Sequence, residues 1–154
     1  MPIRLDISDI HTVSISASLS SPTTWAKAAE LMVPCELLKQ SSQERVSKET
    51  SNGGVVQSMF GLENVMQGGT IYSSTPASKL VKVRTFRTGD LVLALVHNSP
   101  WVLALGDPLC SHGGVSYPGY LRICVADTDI EVGTVWNIPE GQTGVIRRVI
   151  IKVR

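Results

Sequence analysis

Charge and aromatic rings are both scarce in this chain. Aromatic residues make up 5% of the 154 positions and charged residues 18%, against about 25% charged in ordinary soluble domains. So few rings leave little with which to stack nucleic-acid bases. A formal net charge of +1 also lacks the basic excess that gripping a phosphate backbone requires, so nucleic acid is not expected as a partner. Three cysteines, Cys35, Cys110 and Cys124, are an odd number in a chain long enough to fold without staples, and read as reduced thiols of an intracellular protein. The opening residues MPIRLDISDI hold no apolar signal core, and no run approaches about 18 consecutive apolar residues. Neither a visible secretion signal nor a membrane span is therefore expected. Dinucleotide and nucleotide phosphate loops, the Gly-x-Ser-x-Gly elbow and His-Glu-x-x-His are missing as well. That removes the easily read enzyme classes, and no metal or cofactor is expected.

What the chain does have is apolar content, 43%, enough for a globular core, arranged in short β-branched runs. From Lys79 onward these runs are cut by turns at Gly89-Asp90, Gly106-Asp107, Gly113-Gly114, Pro118-Gly119, Gly133 and Gly141. Glycine supplies positive φ there, and Asp accepts local backbone hydrogen bonds. The rhythm predicts strands near 79–86, 90–96, 101–105, 120–125, 134–138 and 144–153, with no repeat of fixed period. Period-two alternation through Ile3, Leu5 and Ile7, then Val13, Ile15, Ala17 and Leu19, predicts two more half-buried strands around a turn near Ser8-Asp9. Between these regions, Trp25, Ala28, Ala29 and Met32 follow a hydroxyl cap at helical spacing, which predicts one short helix over 24–33 ended by Pro34. CELLKQ, 35–40, fits a further helical turn or a strand. Residues 39–54 hold one Val among polar side chains and are expected as a mobile exposed loop or an arm ordered on a neighbour. Residues 55–78 read as a short strand or helical turn, a Gly-Gly turn and an extended piece. The expected fold is a single mainly-β domain over 1–154, a small antiparallel β-barrel or sandwich with one N-terminal helix.

The densest reactive cluster is Cys110-Ser111-His112 with Asp107 just before it. On an extended strand Cys110 and His112 share a face but stand roughly 6.5–7 Å apart, whereas catalytic partners usually come from separate elements. The plainer reading is a strand end running into a Gly-Gly turn. Zinc held by Cys110, His112 and Cys124 would need His97 or Cys35 as a fourth ligand, without any Cys-x-x-Cys pair. His11 and His97 otherwise read as isolated surface or strand histidines. Asp6/Asp9 and Asp127/Asp129, the latter beside Glu131, lack the spacing of a calcium loop and read as solvated turns. Two basic stripes, Lys79, Lys82, Arg84 and Arg87, then Arg147, Arg148, Lys152 and Arg154, read as solvated strand faces that also discourage edge pairing. A contact with protein or phosphate is the other reading. No residue is assigned as catalytic, cofactor-binding or metal-binding.

The stretch FRTGDLVLALVHNSPWVLALGDPLCSHGGVSYPGYLRICVADTDIEVGTVWNI is similar in rhythm to the capsid decoration (cement) proteins of tailed phages. The matching features are Gly106-Asp107-Pro108-Leu109, Gly113-Gly114-Val115 and the strand from Leu121 to Ala126, within about the last half of the chain. The resemblance implies a non-enzymatic virion protein, assembled in the host cytoplasm, that clamps capsid subunits as a homo-oligomer, often a trimer. A small jelly-roll coat protein and a cellular β-barrel binding module are the alternatives. The latter would show one exposed apolar patch, near Trp101 or Tyr117/Tyr120. An enzyme would instead gather Cys110, His112, His97 or the Asp127/Asp129 pair around a pocket.

Overall fold

Alternating apolar positions cut by tight turns favour short paired strands. The computed structural model describes residues 23–64, 69–97, 102–113, 116–140 and 144–154, and these contain ten strands and no helix. They are β1 Thr23–Ala28, β2 Leu37–Gln40, β3 Arg45–Lys48, β4 Met59–Leu62 and β5 Leu80–Thr85, then β6 Leu91–His97, β7 Pro108–Gly113, β8 Tyr117–Ile123, β9 Gly133–Asn137 and β10 Ile146–Val153. The first five close into a barrel in the order β1-β3-β2-β4-β5, and the last five into a second in the order β6-β8-β7-β9-β10. The expected barrel is therefore present twice. It is also not purely antiparallel, and it differs from an eight-stranded jelly roll.

Strand for strand, the two barrels repeat one topology. In each, the first and third strands run parallel and the other neighbouring pairs run antiparallel. They occupy equal lengths of chain, 23–85 and 91–153. The register pair Ala26–Val81 holds the place of Ala94–Val149, and Thr24–Val83 that of Val92–Ile151. No sequence period betrays this, because barrel packing asks for an inward apolar side chain at alternate positions and little else.

Burial on both faces singles out β6. Leu91 to Val96 are all buried. Val92, Ala94 and Val96 fill the second barrel with Leu109, Leu121 and Val149. On the other face Leu91, Leu93 and Leu95, with Ile150 of β10, meet Val33, Cys35 and Ile71 of the first barrel. Cys35 takes a left-handed backbone, φ 79°, and its carbonyl accepts the Leu95 N–H at 3.1 Å. Each such fully buried aliphatic side chain contributes about 1.5–3 kcal/mol. Ala28, Met32, Leu38, Val46, Val81 and Val83 form the separate interior of the first barrel.

Three expectations are corrected. The helix over 24–33 is not formed: Thr23–Ala28 is a strand held by five register pairs to β5, from Thr23↔Arg84 to Lys27↔Leu80, and by a parallel ladder to β3. Thr24, Ala26 and Ala28 also satisfy period two, and ladder pairing outweighs helix propensities worth only tenths of a kcal/mol per residue. Residues 39–54 are not a free loop. They complete the β2–β3 hairpin through Leu38↔Lys48 and Gln40↔Val46, then cross to the second barrel. There Gly53 donates to the Ser111 carbonyl, the Ile130 amide donates to the Gly53 carbonyl, and the Gly119 amide donates to the Glu49 carbonyl. Polar side chains misled because the crossing is held by its backbone, which composition does not report. Residues 102–105 form no strand: Leu103 is buried, while Asp107 accepts the Ala104 amide and closes a turn. CELLKQ resolves as strand β2. The strands expected over residues 3–19 lie outside the described residues.

Gly113, at the end of β7, has φ +63°, and an added Cβ would stand 2.0 Å from the Ser51 carbonyl oxygen of the crossing segment. Gly113→Ala should cost more than about 2 kcal/mol, read as a lowered urea midpoint. Gly106→Ala, also at positive φ but with open space around it, should cost visibly less.

Candidate functional site

Cys110 and His112 lie on β7, and the fold deals the reactive side chains that the sequence brings forward to separate partners. Cys110 is buried and hydrogen-bonded to Cys124, and burial pushes its thiol well above the usual range. Such a thiol resists forming the thiolate that nucleophilic attack needs. Cys35, buried under β6, is pushed up to about 12 by burial, against the opposing pull of Arg148. All three cysteines are unbridged. His112 turns instead to His97: Nδ1 of His97 lies 3.1 Å from Nε2 of His112. Tyr117 stacks on His97 with centroids 4.0 Å apart and leans on His112 at 4.7 Å. Burial holds the His112 ring below its ordinary pKa, with His97 and Arg122 adding to the effect. The rings thus tie the end of β6 to β7 across β8, where β6 and β8 share only the register pair Val96↔Leu121. Among the described residues no three His, Cys, Asp or Glu side chains converge as metal ligands.

Of the acidic cluster, Asp129 is committed and Asp127 is exposed. Both Asp129 oxygens take the Arg122 guanidinium, at 2.8 and 2.9 Å, and Oδ2 also accepts the Val125 and Ala126 amides. Arg122 reaches on to Asn52 Oδ1 at 2.8 and 3.1 Å. The result is a clasp between the crossing segment and the second barrel. The Arg122 hydrogen bonds first, and the two amides next, hold the Asp129 carboxyl well below the usual carboxylate range. Asp6, Asp9 and His11 lie outside the described residues.

The basic stripes are only partly solvated. Arg84 is buried, with its guanidinium 5.3 Å from the centroid of Phe86. Arg148 lies over Tyr72 at 4.5 Å and Lys152 over Trp136 at 5.2 Å. Arg147 donates to the Gly144 carbonyl, and Arg154 pairs with Glu131. Sequence reading also missed Glu36, which is buried at the junction of the barrels. It pairs with Lys48 at 3.2 Å, and burial raises its pKa. Nothing in CELLKQ marks that carboxylate as internal.

The outer face of β1 and β5 is open to a partner. Trp25 is 48% exposed and Leu80 60%; Trp25 is the register partner of Lys82, and Lys27 that of Leu80. They border a groove of about 910 Å³ that extends to Lys79, Pro34 and the 73–76 turn. An apolar pair ringed by lysines has the makeup of a protein contact surface with a polar rim.

No family model and no curated protein sequence matches the chain. Among solved structures, the fold is similar to the crystal structure of the N base of the head fibre gp8.5 of bacteriophage phi29. The TM-score is 0.53 over 87% of this chain and 98% of that one, at 13% sequence identity. At such identity the likeness is one of fold: a mainly-β architecture shared with a phage head-fibre protein.

Replacing Asp129 with Asn should cost about 2 kcal/mol at pH 7, since hydrogen bonds to a charged group are lost. A depressed native pKa stabilises the fold above the ordinary Asp value of 3.8, and that contribution disappears as pH falls below it. Asp129→Asn should therefore flatten the stability profile below about pH 4, measured by urea titration across pH. An unchanged acid limb would show that the clasp carries no such weight.

Proposed function

We propose that this chain is a non-enzymatic structural protein of a phage virion, a decoration protein that sits on an icosahedral head. The observation that carries this reading is the likeness of fold to a head-fibre base, which spans nearly the whole of both chains. A rigid double barrel suits a part that must hold its shape while bound to a shell. The reading is supported by the pairing of side chains that could do chemistry with separate partners: Cys110 with Cys124, His112 with His97, Asp129 with Arg122. On this reading the partners are capsid subunits and copies of the same chain. The working form is a homo-oligomer, a trimer where it meets a threefold site, and it is located in the virion. Symmetry multiplies modest contacts into firm attachment.

Mixing the purified protein with phage heads stripped of it tests the reading. Saturable co-sedimentation is expected, at a copy number matching one class of symmetric sites, together with heads that resist heat or chelator better. Failure to co-sediment, with heads unchanged in stability, would refute decoration.

A further inference from the structure

The repeat of one topology makes the two barrels' outer faces comparable residue by residue. On the register pairs, Trp25–Lys82 of the first barrel stands where Leu93–Ile150 stands in the second, and Lys27–Leu80 where Leu95–Arg148 stands. The second barrel's face is covered. Two connections of the first barrel lie on it: Val33 and Cys35, between β1 and β2, and Ile71 and Tyr72, between β4 and β5. The first barrel's own face, around Trp25 and Leu80, is left bare.

The matching connections of the second barrel carry exposed side chains as well. Val102, between β6 and β7, is 85% exposed, and Leu105 in the same connection is exposed too. Between β9 and β10, Val145 and Glu140 are exposed. Among the described residues, then, the outer face of β6 and β10 is covered by the first barrel, while the corresponding face of the first barrel and the corresponding connections of the second carry exposed apolar side chains. Glu140 is opposite in sign to Lys27, Lys79 and Lys82, which surround the receiving face.

We propose that these surfaces join: the Trp25–Leu80 face of one copy receives Val102, Leu105 and Val145 of the next. The joint parallels the apolar part of the internal contact of the first barrel with the second, without its backbone bond, since the Lys27 amide that stands where the Leu95 amide does already donates to the Glu44 carbonyl. It is heterologous, head to tail, so identical copies close into a ring if the rotation per copy divides a full turn. Three copies would set six barrels around the axis. This names the self-contact in the assembly proposed above and rests on that reading. The two can fail separately: an oligomer of this kind that ignores phage heads faults only decoration, and a monomer that binds heads faults only the joint.

The test is molar mass in solution by light scattering, for the full chain and two surface variants. Wild type should form a closed multiple of 16.6 kDa. Leu80→Asp removes the receiving face and Val102→Asp the inserting one. Each alone should fall to the mass of a single chain with an unchanged circular dichroism spectrum. Mixed in equal amounts, they retain one good joint between them and should form a two-chain species and nothing larger. A self-complementary contact would not show that pattern. Wild type at 16.6 kDa, as when residues 1–22 of the same chain cover Trp25, would overturn the proposal. So would variants that keep the wild-type mass.

Discussion

A strand with no solvent face has to be covered twice, and Leu91 to Val96 sets that requirement at the middle of the chain. One row of its side chains closes the second barrel, and the other row must be shielded by whatever lies outside it. The first barrel does the shielding with Val33, Cys35 and Ile71. The strained left-handed Cys35 and its carbonyl bond to Leu95 follow from that demand. So does the path of residues 49–54, which must run from one barrel to the other. It is pinned by Gly53, Ser111 and the Asn52–Arg122–Asp129 clasp.

Two carboxylates that would be costly if buried alone are matched along this junction. Glu36 meets Lys48, and Glu49 accepts the Thr50 and Ser51 amides. Removing one member of such a set leaves the other desolvated without a partner, which costs more than the bond contributes. The junction therefore combines an apolar seal, which tolerates conservative exchange, with polar pairs that do not.

Much of the β content was legible because turns and alternation are local. Gly89-Asp90 and Gly133 mark strand starts within a residue or two, and LVLALV reads as a strand, although its burial on both faces is a finding of the structure. What was not legible depends on partners distant in sequence. TTWAKA satisfies both helical and strand spacing, and only the β5 ladder decides it. Residues 39–54 look solvated because their side chains are polar, yet their backbone bonds to a second barrel some sixty residues away, as in Gly53–Ser111. The cluster around Cys110 was found as a set of residue types, but strand alternation alone could not say that Cys124 takes the thiol and His97 the imidazole. The duplicated topology left no trace in the sequence, since Trp25 and Leu93 share a structural place without sharing a chemistry.

Whether the two barrels stand or fall together is the most direct question. Two single-tryptophan variants answer it. One keeps Trp25 as reporter of the first barrel, the other keeps Trp136 as reporter of the second, and the remaining tryptophans are changed to Phe. In urea at equal protein concentration, the two fluorescence transitions should coincide in midpoint and slope, as one cooperative unit sharing the β6 seal requires. Two separated transitions would mean that each barrel holds itself together, and that the doubly covered strand is not what the molecule rests on.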